Sequence, residues 1–224
     1  MKKVIQPRLF DWNTARTGMV ELFPAVWIAA EAITSPDVEV RLDGLTTLEE
    51  TNAAYYSPLV AYLVASRLVD PDLKMRARVI GLLGDVIQTI DIDPEISQEV
   101  RQHVAAYLSQ IRTRQILYIL QALAYDSSID NQVIVVMKEC SQAGEYLAGI
   151  LADRQLPLNI RKLSAYLVGE IGYLDAIPTL EKLQARLEVR AEGQQYMPFH
   201  IQEQSEDNQL LPEVQKALTK LQAP

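Results

Sequence analysis

Apolar residues recur along the chain at intervals of three and four, in runs separated by short polar breaks that often carry proline. Val38, Leu42, Leu45 and Leu48 mark one run, Val79, Ile80, Leu82 and Leu83 a second, and Leu163, Tyr166, Leu167 and Ile171 a third. This is the period of a one-faced helix, which needs a neighbour to cover its apolar side. No segment sustains the two-residue alternation of a strand. Val133–Met137 is the one run of strand-like composition, and its helix-like flanks predict a buried helical turn.

The runs also start alike. Ser35-Pro36-Asp37-Val38-Glu39-Val40-Arg41 is echoed 35 positions later by Asp70-Pro71-Asp72-Leu73-Lys74-Met75-Arg76. A looser copy is Leu156-Pro157-Leu158-Asn159-Ile160-Arg161, and a fourth centres on Arg114. In this motif Ser35 or Asp70 suits the N-cap, the proline fits the first helical position, and Asp37 or Asp72 falls in the first turn, where the helix dipole favours a carboxylate. A second series of starts is marked by Pro24, Pro58, Pro94 and Pro178. Together they predict a leading helix near 18–34 and pairs near 36–50 and 56–69, 71–90 and 94–108, 110–125 and 131–152, and 157–172 and 175–190. A closing helix near 210–222 follows. Two-helix units at such spacing hide their apolar faces by stacking.

Pro36-Asp37-Val38-Glu39-Val40-Arg41 and Val168-Gly169-Glu170-Ile171-Gly172-Tyr173-Leu174-Asp175-Ala176-Ile177-Pro178-Thr179-Leu180 resemble the two halves of a HEAT repeat, in the subgroup shared with phycobilisome-lyase-like proteins. The resemblance runs from about residue 20 to 190 and resumes at Pro212–Leu218. It implies an all-α fold, a right-handed α-solenoid of roughly four to five helical pairs. Residues 1–17 are then an N-terminal extension, 18–190 the solenoid, 191–209 a polar loop and 210–224 a closing helix of the same solenoid. It further implies that Arg41, Arg76 and Arg161 tie adjacent repeats together, with Asp37 and Asp72 as structural repeat positions. The third repeat lacks both the Pro-Asp start and the glycines.

Net charge narrows the partners. The chain carries 29 acidic against 21 basic side chains, a formal −8, so its mean field repels phosphate backbones and anionic membranes. Nucleic acid is therefore an unfavoured ligand. The stretch holding Lys2, Lys3, Arg8 and Arg16 against Asp11 is basic by contrast, and leaves room there for a minor anionic contact. The longest apolar stretches, Met19–Ile33 and Leu59–Ala65, are too interrupted or too short to span a bilayer, and Gln6, Pro7 and Arg8 break any secretory core, which predicts a cytoplasmic protein. The single cysteine, Cys140, rules out an internal disulfide and a Cys-based zinc site, and reads as a small buried apolar residue.

Catalytic chemistry is not legible. His103 and His200 are followed by Val104 and Ile201, which excludes the His-Glu pairs of an iron-binding HEAT enzyme; His103 reads as a surface residue. Asp91-Ile92-Asp93-Pro94-Glu95 begins like a calcium loop but has Ile96 where glycine is needed and Gln102 where a bidentate glutamate is needed. The simpler reading has Asp93 capping a helix that starts at Pro94. Gly81, Gly84 and Gly169 read as close-packing positions and Gly172 as a C-terminal cap. No cofactor and no metal are expected.

Aromatic residues remain. Trp27 and Tyr62 occupy equivalent places 35 positions apart, and Tyr55 and Tyr56 flank the start of the second helix. On a HEAT stack they would form an exposed stripe; the alternative given more weight is that Trp27 and at least one tyrosine fill the core at the end of the stack. Tyr196-Met197-Pro198-Phe199-His200-Ile201 is an apolar island within the polar 191–209 segment, and Tyr196 and Phe199 join Trp27, Tyr55 and Tyr62 as candidate partner contacts. The expected function is a non-catalytic, protein-binding scaffold or adaptor. The alternative is a HEAT-frame enzyme, bilin-lyase-like or, against the charge argument, DNA-glycosylase-like.

Overall fold

A computed structural model describes residues 19–89, 94–195 and 206–223, and every regular element among them is helical. A single 3₁₀ turn, Met19–Leu22, precedes α1 (Pro24–Ala32) and α2 (Val38–Glu50). The short α3 (Ala53–Tyr56) leads to α4 (Pro58–Ala65), which tightens into a 3₁₀ turn at Ser66–Val69. Then come α5 (Leu73–Gln88), α6 (Pro94–Leu108), α7 (Thr113–Tyr125), α8 (Asp130–Lys138) and α9 (Ala143–Ala152). The series ends with α10 (Leu158–Ile171), α11 (Ile177–Gln195) and α12 (Glu206–Gln222). No described helix is long and apolar enough to cross a membrane.

The expected starts hold with one shift. Asp37 and Asp72, placed by the sequence in the first turn, are themselves the N-caps: their carboxylates accept from the backbone N–H groups of Glu39 and Met75. Ser35 and Asp70, the expected caps, instead accept from the N–H groups of Asp37 and Asp72, closing a tight turn just before each helix. Pro24 and Pro58 open α1 and α4 at their first positions.

Three boundaries differ from expectation. The run 131–152 divides into α8 and α9, because the chain turns at Glu139–Gln142 and folds Cys140 inward. The α4 region opens early with α3, entered through Asn52 at φ 52°, a left-handed conformation that asparagine tolerates. Both ends of the predicted 191–209 loop are helical, since α11 continues to Gln195 and α12 begins at Glu206. Val133–Met137 lies in α8, with Val133, Val136 and Met137 buried.

Three buried arginines bond from one helix to neighbouring segments. Arg41 of α2 reaches past α4 to Asp70: Nη2 donates to Oδ1 at 2.9 Å, and Nε sits 2.9 Å from Oδ2 as an ionic contact without hydrogen-bond alignment. Its Nη1 donates to the carbonyls of Ser35 and Pro36. Arg76 of α5 donates to the Tyr118 carbonyl and to Gln121 Oε1 on α7, and its guanidinium lies 4.7 Å from the centre of the Tyr118 ring. Arg161 of α10 donates from Nε to the Leu151 carbonyl on α9. Arg114 departs from the pattern: it is exposed and bonds within its own helix to the Tyr118 hydroxyl, so the fourth copy of the motif has no buried arginine there.

Glycines set how closely helices cross. A Cβ on Gly44 would lie 2.8 Å from the Ala32 Cβ and 2.9 Å from the Ala29 carbonyl oxygen, so α1 and α2 meet through backbone. Gly84 faces Gln132 across α5 and α8, Gly169 faces Ala217 across α10 and α12, and Gly144 receives the Tyr173 ring. Gly81 meets only Ile129 at 4.0 Å, so of the first pair Gly84 is the close contact. Gly172 caps α10 at φ 72°. Residue pairing gives direction: Lys162 with Gln209 and Glu170 with Lys220 make α10 and α12 parallel, whereas Arg161 with Leu151 and Ser164 with Leu147 make α9 and α10 antiparallel.

Candidate partner-binding surface

The turn before α1 meets the start of α4. Ser57 is the N-cap of α4, where its hydroxyl oxygen accepts from the Val60 N–H while its O–H donates to Glu21, in the turn before α1. Each of the two helices turns apolar side chains outward. On α1 these are Trp27 and Ile28, 54% and 68% exposed, with Phe23 just before them. On α4 they are Leu59 and Tyr62.

This overturns the core reading of Trp27. Val26, Ala29, Ala30 and Ile33 take the buried side of α1 against α2, and a nine-residue helix with one inward face leaves Trp27 and Ile28 on the other. Tyr62 is exposed as well, at 49%, although its ring meets the edge of Tyr107 on α6 at 5.5 Å with the planes nearly perpendicular. That geometry favours a fixed rotamer. Tyr107 is half-buried, and burial raises the pKa of its hydroxyl, an effect that the Arg67 guanidinium opposes.

Tyr55 and Tyr56 pack against the core instead. Burial raises the Tyr55 pKa, with the charges of Asp85 and Glu49 adding to it. Tyr196 and Phe199 lie outside the described residues, as do 90–93 of the calcium-like stretch. Phe23, Ile28 and Leu59 were not singled out from the sequence; Leu59 sits in an apolar run, Leu59–Ala65, whose periodicity assigns no face.

Other chemistry is sparse. Among the described residues no three or more His, Cys, Asp or Glu side chains gather to hold a metal ion. His103 is exposed, its Nδ1 2.9 Å from the Glu99 carbonyl. Cys140 is buried, and burial pushes its thiol up to about 12, leaving it protonated and unreactive at neutral pH. An open cleft of about 420 Å³ lies between α5, α6 and the end of α8, lined by Ile87, Gln98, Arg101, Gln102, Ala105 and Glu139. It pairs no nucleophile with a base. Comparison with protein families, with curated proteins and with solved structures finds no match for this chain.

Proposed function

We propose that the chain is a cytoplasmic protein-binding scaffold, a HEAT-type right-handed solenoid whose contact surface centres on Leu59 and Tyr62. The observation that carries this reading is the exposure of these two side chains at the start of α4, with Tyr62 braced by Tyr107. A rigid, exposed tyrosine is a side chain that protein interfaces favour as a hot spot, and Leu59 extends the apolar surface beside it. The stacking reading draws support from parallel α10 and α12, from glycine crossings at successive seams, and from buried arginines on α2, α5 and α10.

The test is to replace Leu59 and Tyr62 together with serine and to compare the proteins that co-purify at native expression. The expected result is loss of specific partners, as binding weakens by roughly thirtyfold or more when hot-spot side chains are removed, with the thermal midpoint little changed. An unchanged partner set in a folded variant would refute the reading.

A further inference from the structure

Helix α1 presents a problem that Tyr62 does not. Its sequence, Pro-Ala-Val-Trp-Ile-Ala-Ala-Glu-Ala, has one charged residue in nine, and a helix apolar on all sides is normally covered on all sides. Its inner side is covered by α2. Its outer side leaves Phe23, Trp27 and Ile28 at 60%, 54% and 68% exposure within six positions. A helix with one face on solvent is expected to turn polar residues outward, and Glu31 is the only charge this helix offers.

The chain itself supplies a cover. Residues 1–18 join directly to the turn that leads into α1 and contain Val4, Ile5, Leu9, Phe10 and Trp12. They carry Lys2, Lys3, Arg8 and Arg16 against Asp11, a net charge of +3. Residues 19–89 carry ten carboxylates against five basic side chains, a net charge of −5. Charge and apolar content are thus complementary. Reach is sufficient too: α1 is about 14 Å long at 1.5 Å per residue, and the residues between Leu9 and Met19 extend to roughly 30 Å. Covalent attachment holds such a segment at an effective concentration near the millimolar range, so even weak contacts suffice.

We propose that the outer face of α1, Phe23, Trp27 and Ile28, is the seat of this chain's own residues 4–12, with Leu9, Phe10 and Trp12 as the apolar contacts. The proposal stands apart from the scaffold reading, since α1 can be covered in this way whether or not Tyr62 binds a partner.

The two tryptophans of the sequence make the test direct. Trp12→Phe in the full chain leaves Trp27 as the only indole reporter. Its emission and its quenching by acrylamide are then compared with those of the same chain carrying Leu9→Asp and Phe10→Asp. The expected result is a shielded, blue-shifted Trp27 that turns red-shifted and freely quenched in the doubly charged variant. Hydrogen exchange on the unmodified chain should show protected amides within 4–12. A Trp27 equally open in both chains, together with unprotected amides, overturns the proposal and leaves the face to an outside partner. Shielding that disappears on dilution and persists in the charged variant also overturns it, in favour of a second copy of the chain.

Discussion

Helix α1 turns Phe23, Trp27 and Ile28 to solvent, whereas α12 turns out Gln215, Lys216, Thr219 and Lys220 and keeps Leu210, Val214, Ala217, Leu218 and Leu221 inward. α12 has a sharp apolar stripe, so its pattern alone decides which face meets α10 and α11. α1 has none, so the fit of Ala29 and Ala32 against Gly44 decides for it. The means of attachment differ as well. The α1–α2 end is joined onward by the buried Arg41–Asp70 pair, while α12 is tied to α10 by Lys220–Glu170 at the surface. The α1 seam is thus set by shape and joined onward by a buried charge, whereas the α12 seam adds an amphipathic stripe and surface bonds to its Gly169–Ala217 contact.

The strongest way to break this contrast is at the ion pairs. Arg41→Ala leaves Asp70 buried without its cation and should cost about 3–5 kcal/mol. Lys220→Ala removes a half-exposed partner and should cost about 1 kcal/mol or less. Chemical denaturation curves compare the two, and equal midpoints would mean that both ends are held alike.

The seams give a smaller effect. Gly44→Ala forces a methyl against the backbone oxygen of Ala29, and such overpacking costs about 1–3 kcal/mol. At Gly169 the nearest atom to an added Cβ is the Ala217 Cα at 3.2 Å, a clash that a shift of a few tenths of an ångström relieves. The roughly 1 kcal/mol by which alanine is favoured over glycine within a helix offsets much of the rest. Gly169→Ala should therefore lie near neutral, and a larger loss there than at Gly44 would reverse the ranking of the two seams.

The smallest effect concerns α10, which lies against α12. Burial, followed by the hydrogen bond to Asp130, raises the pKa of Tyr166. A folded pKa above the unfolded value of about 10 gives a contribution that is whole below pH 10 and fades as the pH climbs toward the folded value. Melting temperatures between pH 8 and 11 should fall at the alkaline end. The Tyr166→Phe variant should fall less steeply, and an identical slope would remove Tyr166 from the account.

Much of the helix map was legible from prolines and apolar spacing, because both act locally. What was missed depended on distant partners. Asp70 looked like a cap, but Arg41 from 29 positions away takes up its carboxylate and Asp72 caps the helix. The break between α8 and α9 has no proline or glycine at 139–142 to announce it. The 191–195 stretch read as loop for its polarity, yet alanine, glutamate and glutamine are good helix formers. At the candidate surface, the pairing of Trp27 and Tyr62 was visible as a 35-residue echo, but exposure was not, because an all-apolar segment carries no sign of which side is inside.

The side-chain bonds between helices described here are short in chain terms. Lys220 with Glu170 reaches furthest, at 50 positions, Lys162 with Gln209 spans 47, and Arg41 with Asp70 spans 29. Ties this local mean that a region needs only its near neighbours to form, which favours fast folding and assembly during synthesis, before distant parts of the chain have emerged. The same locality shapes the response to mechanical load. Tension applied across α2 and α5 would have to release Arg41 from Asp70, a buried pair, before the two helices could part.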